Sequence, residues 1–260
     1  SGIIIPDHLI QAITGKSIDQ LDPSVDISAE LGITKYVPAI PTQLAGEVEV
    51  ITIGGFGKHD CEQLGVYQNQ LIDGERVVIT EKVHGSQFIA YLDPSGAQFI
   101  ASKGLLARGL SLKPSETNAY FRAAKQTDLW EKIMPMVVAG EQPIQVFGEL
   151  VPCQGGNWTY GFEAPTILIF DVRANGVSIP YDQLPQQLMD MWVPVLYDGP
   201  FDPEVVYKLR AGKESVSGLQ LHIKEGVVVR PYMDRRALDY TRLVLKSINP
   251  AYKETGDEIN

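Results

Sequence analysis

The chain has 260 residues, 44% hydrophobic and 21% charged, which suits one large domain or a domain with an appendage. No apolar run approaches the ~18 residues that cross a membrane, and Ser1-Gly2-Ile3 does not open a secretory signal. The formal charge of −10 argues against indiscriminate binding of polyanions.

The charge is unevenly spread. Residues 1–50 hold seven acids against Lys16 and Lys35. Toward the other end, Lys224, Arg230, Arg235, Arg236, Arg242, Lys246 and Lys253 outnumber Glu225, Asp234, Asp239 and Glu254. Phosphate binding can therefore be local. Cys61 and Cys153 are too few for a disulfide framework or a cysteine-rich zinc site, which predicts a reduced, cytoplasmic or otherwise intracellular protein. The missing initiator methionine predicts a boundary or cleavage point at residue 1.

Residues 1–45 read as an irregular lead-in with one short helix. Pro6 suits its first turn, with Leu9, Ile10 and Ile13 facing inward. Pro38 and Pro41 mark an extended connector. Residues 46–260 then form the main domain. Strands are predicted at Val48–Ile53, Arg76–Thr80, Gln87–Leu92 and Ala97–Ser102, the last two joined by the turn Asp93-Pro94-Ser95-Gly96. A helix is predicted from near Ser115 through Ala119, Phe121 and Ala123, and a second over Trp130–Val138, interrupted by Pro135. Further strands follow at Ile144–Val151, Thr166–Val172, Val227–Arg230 and Arg242–Ser247, with helices over Gln183–Trp192 and Pro203–Leu209. Hairpin-linked strands with helices inserted late predict an α+β fold of antiparallel sheets with flanking helices.

Gly54-Gly55-Phe56-Gly57-Lys58 looks like a phosphate loop but fails the pattern. Thr52 stands where glycine is needed and His59 where Ser or Thr is needed. His59 and Cys61 lack the partner pattern of a metal site. Trp158 could stack a base or anchor a loop.

The informative segment is Thr80-Glu81-Lys82-Val83-His84-Gly85-Ser86, a lysine where a strand enters a tight turn. Lys-x-x-Gly alone arises often by chance. Four more segments follow in order: Phe147-Gly148-Glu149-Leu150, Ile169-Phe170-Asp171-Val172, Glu225-Gly226-Val227-Val228-Val229 and Leu243-Val244-Leu245-Lys246-Ser247. The ordered set resembles motifs I, III, IIIa, IV and V of the covalent nucleotidyltransferase superfamily, which holds the ATP- and NAD-dependent ligases and the mRNA capping enzymes. Glu81-Lys82-Val83-His84-Gly85 is most similar to the phage RNA ligase 2 branch, and Leu31-Gly32-Ile33-Thr34-Lys35-Tyr36 resembles the connector of a related group that carries an N-terminal OB domain. The likeness covers roughly residues 30–255.

This resemblance implies a nucleotidyltransferase (adenylylation) domain and an ATP-dependent RNA ligase. It would use Mg2+ or Mn2+ and join RNA 5′-phosphate to 3′-hydroxyl ends, and an OB domain could lie upstream. It implies that Lys82 becomes adenylylated and that Lys246 contacts the α-phosphate. Glu149 would meet the ribose, Phe170 would stack on adenine and Glu225 would serve the metal. Glu81, His84 and Gly85 would complete the lysine loop, and Lys103 stands where the family has a basic residue. Lys246-Ser247-Ile248 departs from the family's Lys-x-Lys by keeping one lysine. The chemistry needs a neutral amine at Lys82, whose reference pKa is about 10.4. Lowering that by ~3 takes ~4 kcal/mol of differential stabilisation, which a metal, Lys246 and Lys103 could contribute. The rival readings are a DNA ligase, a GTP-using capping enzyme and a catalytically silent nucleic-acid-binding module. Nucleotide competition, defined nicked substrates and the presence of an AMP adduct separate them.

Overall fold

A computed structural model describes residues 5–22, 27–33, 40, 44, 46–54, 56–152, 158–239 and 241–254. The chain divides into two compact units, residues 1–39 and 40–260. In the first, helix α1 (Asp7–Thr14) follows Pro6 and ends at Gly15 in a left-handed cap. Of the three residues predicted to face inward, Ile10 is buried whereas Leu9 and Ile13 are exposed. So small a unit covers only a narrow stripe of its helix. Pro38, Pro41 and residues 34–36 of the connector lie outside the described residues.

The second unit runs β1 (Val48–Val50), β2 (Glu62–Gln63), α2 (Leu64–Tyr67), β3 (Arg76–Lys82), β4 (Ser86–Leu92), β5 (Gln98–Ser102), α3 (Lys103–Ala107) and β6 (Leu110–Leu112). It continues through α4 (Ala119–Gln126), α5 (Leu129–Gly140), β7 (Ile144–Val151), β8 (Thr166–Ala174), β9 (Val177–Ser178), α6 (Gln186–Met189), β10 (Val195–Pro200) and α7 (Pro203–Leu209). Strands β11 (Gly226–Pro231) and β12 (Leu245–Ile248) precede α8 (Pro250–Glu254).

Two sheets result. The larger has the order β1-β6-β5-β4-β7-β8-β9 and the smaller β10-β3-β11-β12-β2. Among the named strands every pairing is antiparallel except β12 with β2. The alternating hydrophobics account for this: Phe88, Ala90 and Leu92 of β4 enter one core with Ile133 and Val137 of α5, whereas Ile89 and Tyr91 enter another with Phe99 and Phe147. A third core joins Ile79 of β3, Val227 and Val229 of β11 and Val206 of α7.

Local chemistry moved several boundaries. The Asp93 carboxylate accepts the Ser95 backbone N–H at 2.9 Å and closes the predicted turn. Asn118 caps α4 by accepting from the Tyr120 N–H at 2.9 Å, so that helix begins at Ala119 rather than near Ser115. Pro135 lies inside α5 without ending it. Strand β3 runs on to Lys82, and the helix predicted over residues 183–192 shortens to α6. Strand β12 starts at Leu245 rather than at Arg242, whose guanidinium is occupied elsewhere.

Candidate active site

Lys82 is the last residue of β3, with Glu81 and Thr80 before it. The β3–β11 register sets Lys82 opposite Gly226, which brings Glu225 alongside. Lys82 Nζ donates to Glu225 Oε1 at 2.5 Å. Gly226 has no room for a side chain, since a Cβ there would run into the Ser247 carbonyl of β12. The same tight packing carries Lys246 opposite Val228.

The loop after Lys82 turns directly into β4, where Gln87 pairs with Glu149 on β7. A Cβ on Gly85 would lie 2.6 Å from both Glu149 Cγ and the Leu150 carbonyl oxygen. The Gly85 backbone N–H also hydrogen-bonds the Glu149 carboxylate. His84 is held twice: its N–H donates to Tyr160 Oη at 2.7 Å, and Nδ1 lies 2.7 Å from Tyr252 Oη. Its ring packs near those of Trp158 and Tyr252.

Phe170 owes its position to a break in regular pairing. Phe147 faces Asp171 and Gly148 faces Ile169, so Phe170 is the extra residue of a β-bulge in β8. Bulges re-aim side chains. Here the ring is half-buried, with the His59 ring at 4.8 Å.

A cleft of about 220 Å³ collects these groups. Lys82, Glu81, Lys103, Glu149, Phe170 and Lys246 line it, joined by His59, Cys61, Gln87 and Arg230. Glu225 reaches the cleft through Lys82. His84 and Gly85 border the neighbouring groove on the far side of the loop, beside Ser86 and Tyr120. The Glu81 carboxylate turns to Ser215, accepting from its N–H at 2.8 Å and its hydroxyl at 2.6 Å. Lys103 pairs with Asp60 at 2.6 Å, both more than half exposed.

The electrostatics are those of a resting site. Burial works to lower the Lys82 pKa, but Glu225 and Glu149 outweigh it and hold the amine above its usual value. The sign is opposite to what nucleophilic attack needs, because the two carboxylates outweigh burial. Burial pushes Glu149 up to about 8, with Lys82 opposing and Glu225 reinforcing the rise. Glu225 Oε2 is buried with no hydrogen-bond partner. A carboxylate oxygen left so is a fit for a divalent cation. Among the described residues no cluster of three or more His, Cys, Asp or Glu could hold a metal, so Glu225 would bind it with phosphate and water oxygens.

Sequence reasoning gave no role to His59, Cys61 or Asp171. Burial lowers His59 to about 3 and raises Cys61 to about 11, so at neutral pH they are a neutral imidazole and a thiol. Asp171 is fully buried and accepts from Arg173 at 2.8 Å, Ser178 at 2.6 Å, Arg230 at 3.3 Å and Arg242 at 3.0 Å. Burial alone would raise its pKa; His59, when protonated, and the three guanidiniums hold it well below the usual carboxylate range. The signal was present in the three arginines at 173, 230 and 242, but nothing local told that they share one acid.

A strand-end lysine between two carboxylates, a second lysine and a half-buried aromatic thus meet at one cleft of a mixed α+β fold of antiparallel sheets. The family model described as RNA ligase matches residues 75–248, and the chain belongs to the RNA ligase family. No curated protein matches the sequence. Among solved structures it is similar to Naegleria gruberi RNA ligase with PPi, at 21% identity and TM-score 0.61, covering 89% of this chain and 67% of that one. A mutant of that ligase with ATP and Mn matches at 19% identity and TM-score 0.63, covering 91% and 68%. Another, with AMP and Mn, matches at 21% identity and TM-score 0.61, covering 89% and 67%. These likenesses show the α+β fold. No helix among the described residues is long and apolar enough to cross a membrane.

Proposed function

We propose that this chain is an ATP-dependent RNA ligase acting through a lysyl-AMP intermediate on Lys82, with residues 46–260 as the catalytic domain and 1–45 as its lead-in. The observation that carries it is the meeting of Lys82, Glu225, Glu149, Lys246 and Phe170 at one cleft from five different segments. The solved relatives held ATP, AMP and Mn, in agreement with this reading.

Phe170 would take the adenine face and Glu149, protonated, would donate to a ribose hydroxyl. Lys246 would sit against the α-phosphate. A divalent cation at Glu225 Oε2 would supply positive charge at the phosphates and weaken the hold of Glu225 on the amine. Lys82 Nζ loses a proton to solvent and attacks the α-phosphorus. The P–N bond forms as the bond to the bridging oxygen breaks, and pyrophosphate leaves. The strand-end position fixes the amine for in-line attack, and Gly85 lets Glu149 approach the loop. AMP next passes from Lys82 to an RNA 5′-phosphate. A 3′-hydroxyl then attacks that phosphate, releases AMP and seals the strand.

Incubation with α-phosphate-labelled ATP and manganese, followed by denaturation, tests the first step. Label retained on the parent and lost in Lys82→Ala is the expected result. Unlabelled parent protein, folded and nucleotide-free, would sink the reading and favour a binding module. Nicked substrates with ribose or deoxyribose ends then identify the polymer.

A further inference from the structure

Helix α8 follows β12 directly, so the segment that brings Lys246 to the cleft goes on to Tyr252. The turn between them is built on Asn249, which is buried. Its side-chain carbonyl accepts the Ala251 N–H at 3.1 Å, and its side-chain amide donates to the Lys224 carbonyl at 3.0 Å. The Asn249 backbone N–H donates to the Glu225 carbonyl at 2.9 Å. The start of α8 is therefore tied to the backbone that carries Glu225.

From that root Tyr252 reaches back to the lysine loop. Its Oη lies 2.7 Å from His84 Nδ1, and its ring centroid 6.0 Å from that of the imidazole. Trp158, itself buried, packs near both, at 5.5 Å from His84 and 5.2 Å from Tyr252. A hydrogen bond between a phenol and one ring nitrogen sets the rotation of the imidazole and, whichever atom donates, confines its proton to one tautomer. The His84 backbone N–H donates to Tyr160 Oη at 2.7 Å. Phenols from two distant segments thus hold the side chain and the main chain of one residue.

The consequence falls on Lys82. Only Val83, His84 and Gly85 separate β3 of the smaller sheet from β4 of the larger. Val83 is buried, and Gly85 has no clearance from Glu149. So short a link cannot absorb a turn of His84; it passes the movement to the amine on one side and to the Glu149 contact on the other. A shift of about 1 Å at a reacting group can cost about a hundredfold in rate.

We infer that Tyr252 is a positioning residue for AMP transfer to Lys82: its hydroxyl locks the His84 ring and so holds the lysine loop against Glu149 and Glu225. This rests on the reading of Lys82 as the nucleophile.

The test compares the parent with Tyr252→Phe, which keeps the ring and removes only the hydroxyl. Labelling of Lys82 is followed in single turnovers with manganese over a range of ATP concentrations. Rates are scaled to the folded fraction read by near-ultraviolet circular dichroism. The maximal rate should fall about tenfold. The half-saturating ATP concentration should stay within about twofold of the parent's, since Tyr252 does not line the nucleotide cleft. In the imidazole nitrogen NMR spectrum, the His84 signals, assigned with His84→Ala, should pass from a single tautomer in the parent to a mixture in Tyr252→Phe. A variant that labels at the parent's rate overturns this inference alone. So does a change confined to the half-saturating concentration, which would give Tyr252 a part in nucleotide binding instead. A slower rate with unchanged His84 signals overturns it too, because Tyr252 would then not act through His84. A parent that takes no label overturns the reading of Lys82 and this inference with it.

Discussion

Lys82 donates to Glu225 and is held above its ordinary pKa, while burial keeps the proton on Glu149 beside them. An amine and two carboxylates packed together cannot all be optimal at once. The arrangement suits a site that waits for a metal and a nucleotide, because both would redistribute this charge. Its signature is in stability against pH. Glu149 has a folded-state pKa raised to about 8 from 4.5, so the native state binds a proton more tightly than the unfolded chain. Its contribution to stability is therefore complete below the unfolded value and is lost as pH rises through about 8. Glu149→Gln cannot ionise. Denaturation of both proteins from about pH 4 to about pH 9 should show the parent losing stability relative to the variant from about pH 5 upward, with the loss levelling off above about pH 8. A constant difference would remove the proton from Glu149.

At the scale of elements, the site depends on how closely β4 and β7 can bring their ends together. Gly85 lies beside Glu149 and the Leu150 carbonyl, and that carbonyl belongs to a paired strand that cannot move alone. Gly85→Ala should cost about 1–3 kcal/mol, the usual range for overpacking. It should also abolish Lys82 labelling. Urea denaturation and the ATP assay measure the two, and a variant that labels normally would show the loop to be looser than described. Such elements were legible where hydrophobic period and turn chemistry agreed. Strands β4, β5, β7 and β8 and helix α7 stand within two residues of their sequence-predicted bounds. The misses have physical causes. Strand β10 ends Tyr197-Asp198-Gly199-Pro200, which reads as a turn; the Asp198–Arg76 pair and pairing to β3 hold it extended. Helix α3 is only five residues and owes its start to the Ser102 cap.

The two sheets of residues 40–260 are tied together through a residue that the sequence displayed only as part of a motif. Lys82, Glu149, Phe170, Glu225 and Lys246 were legible because their order is restrictive, whereas their electrostatic support was not, since it converges from segments far apart. Asp171 on β8 of the larger sheet takes Arg230 on β11 of the smaller one, and Arg242 just ahead of β12. The neighbouring Phe170 is seated by the same strand bulge. One carboxylate therefore fixes the inter-sheet contact and holds Arg230, which lines the cleft. Asp171→Asn keeps the shape but removes the charge, leaving three guanidiniums around a neutral amide. Breaking a buried pair in this way costs about 3–5 kcal/mol. The variant should unfold at correspondingly lower denaturant, and its affinity for ATP should fall as Phe170 loses its support. Loss of stability without loss of affinity would mean that the bulge alone places Phe170. Unchanged stability would mean that the arginines are balanced elsewhere.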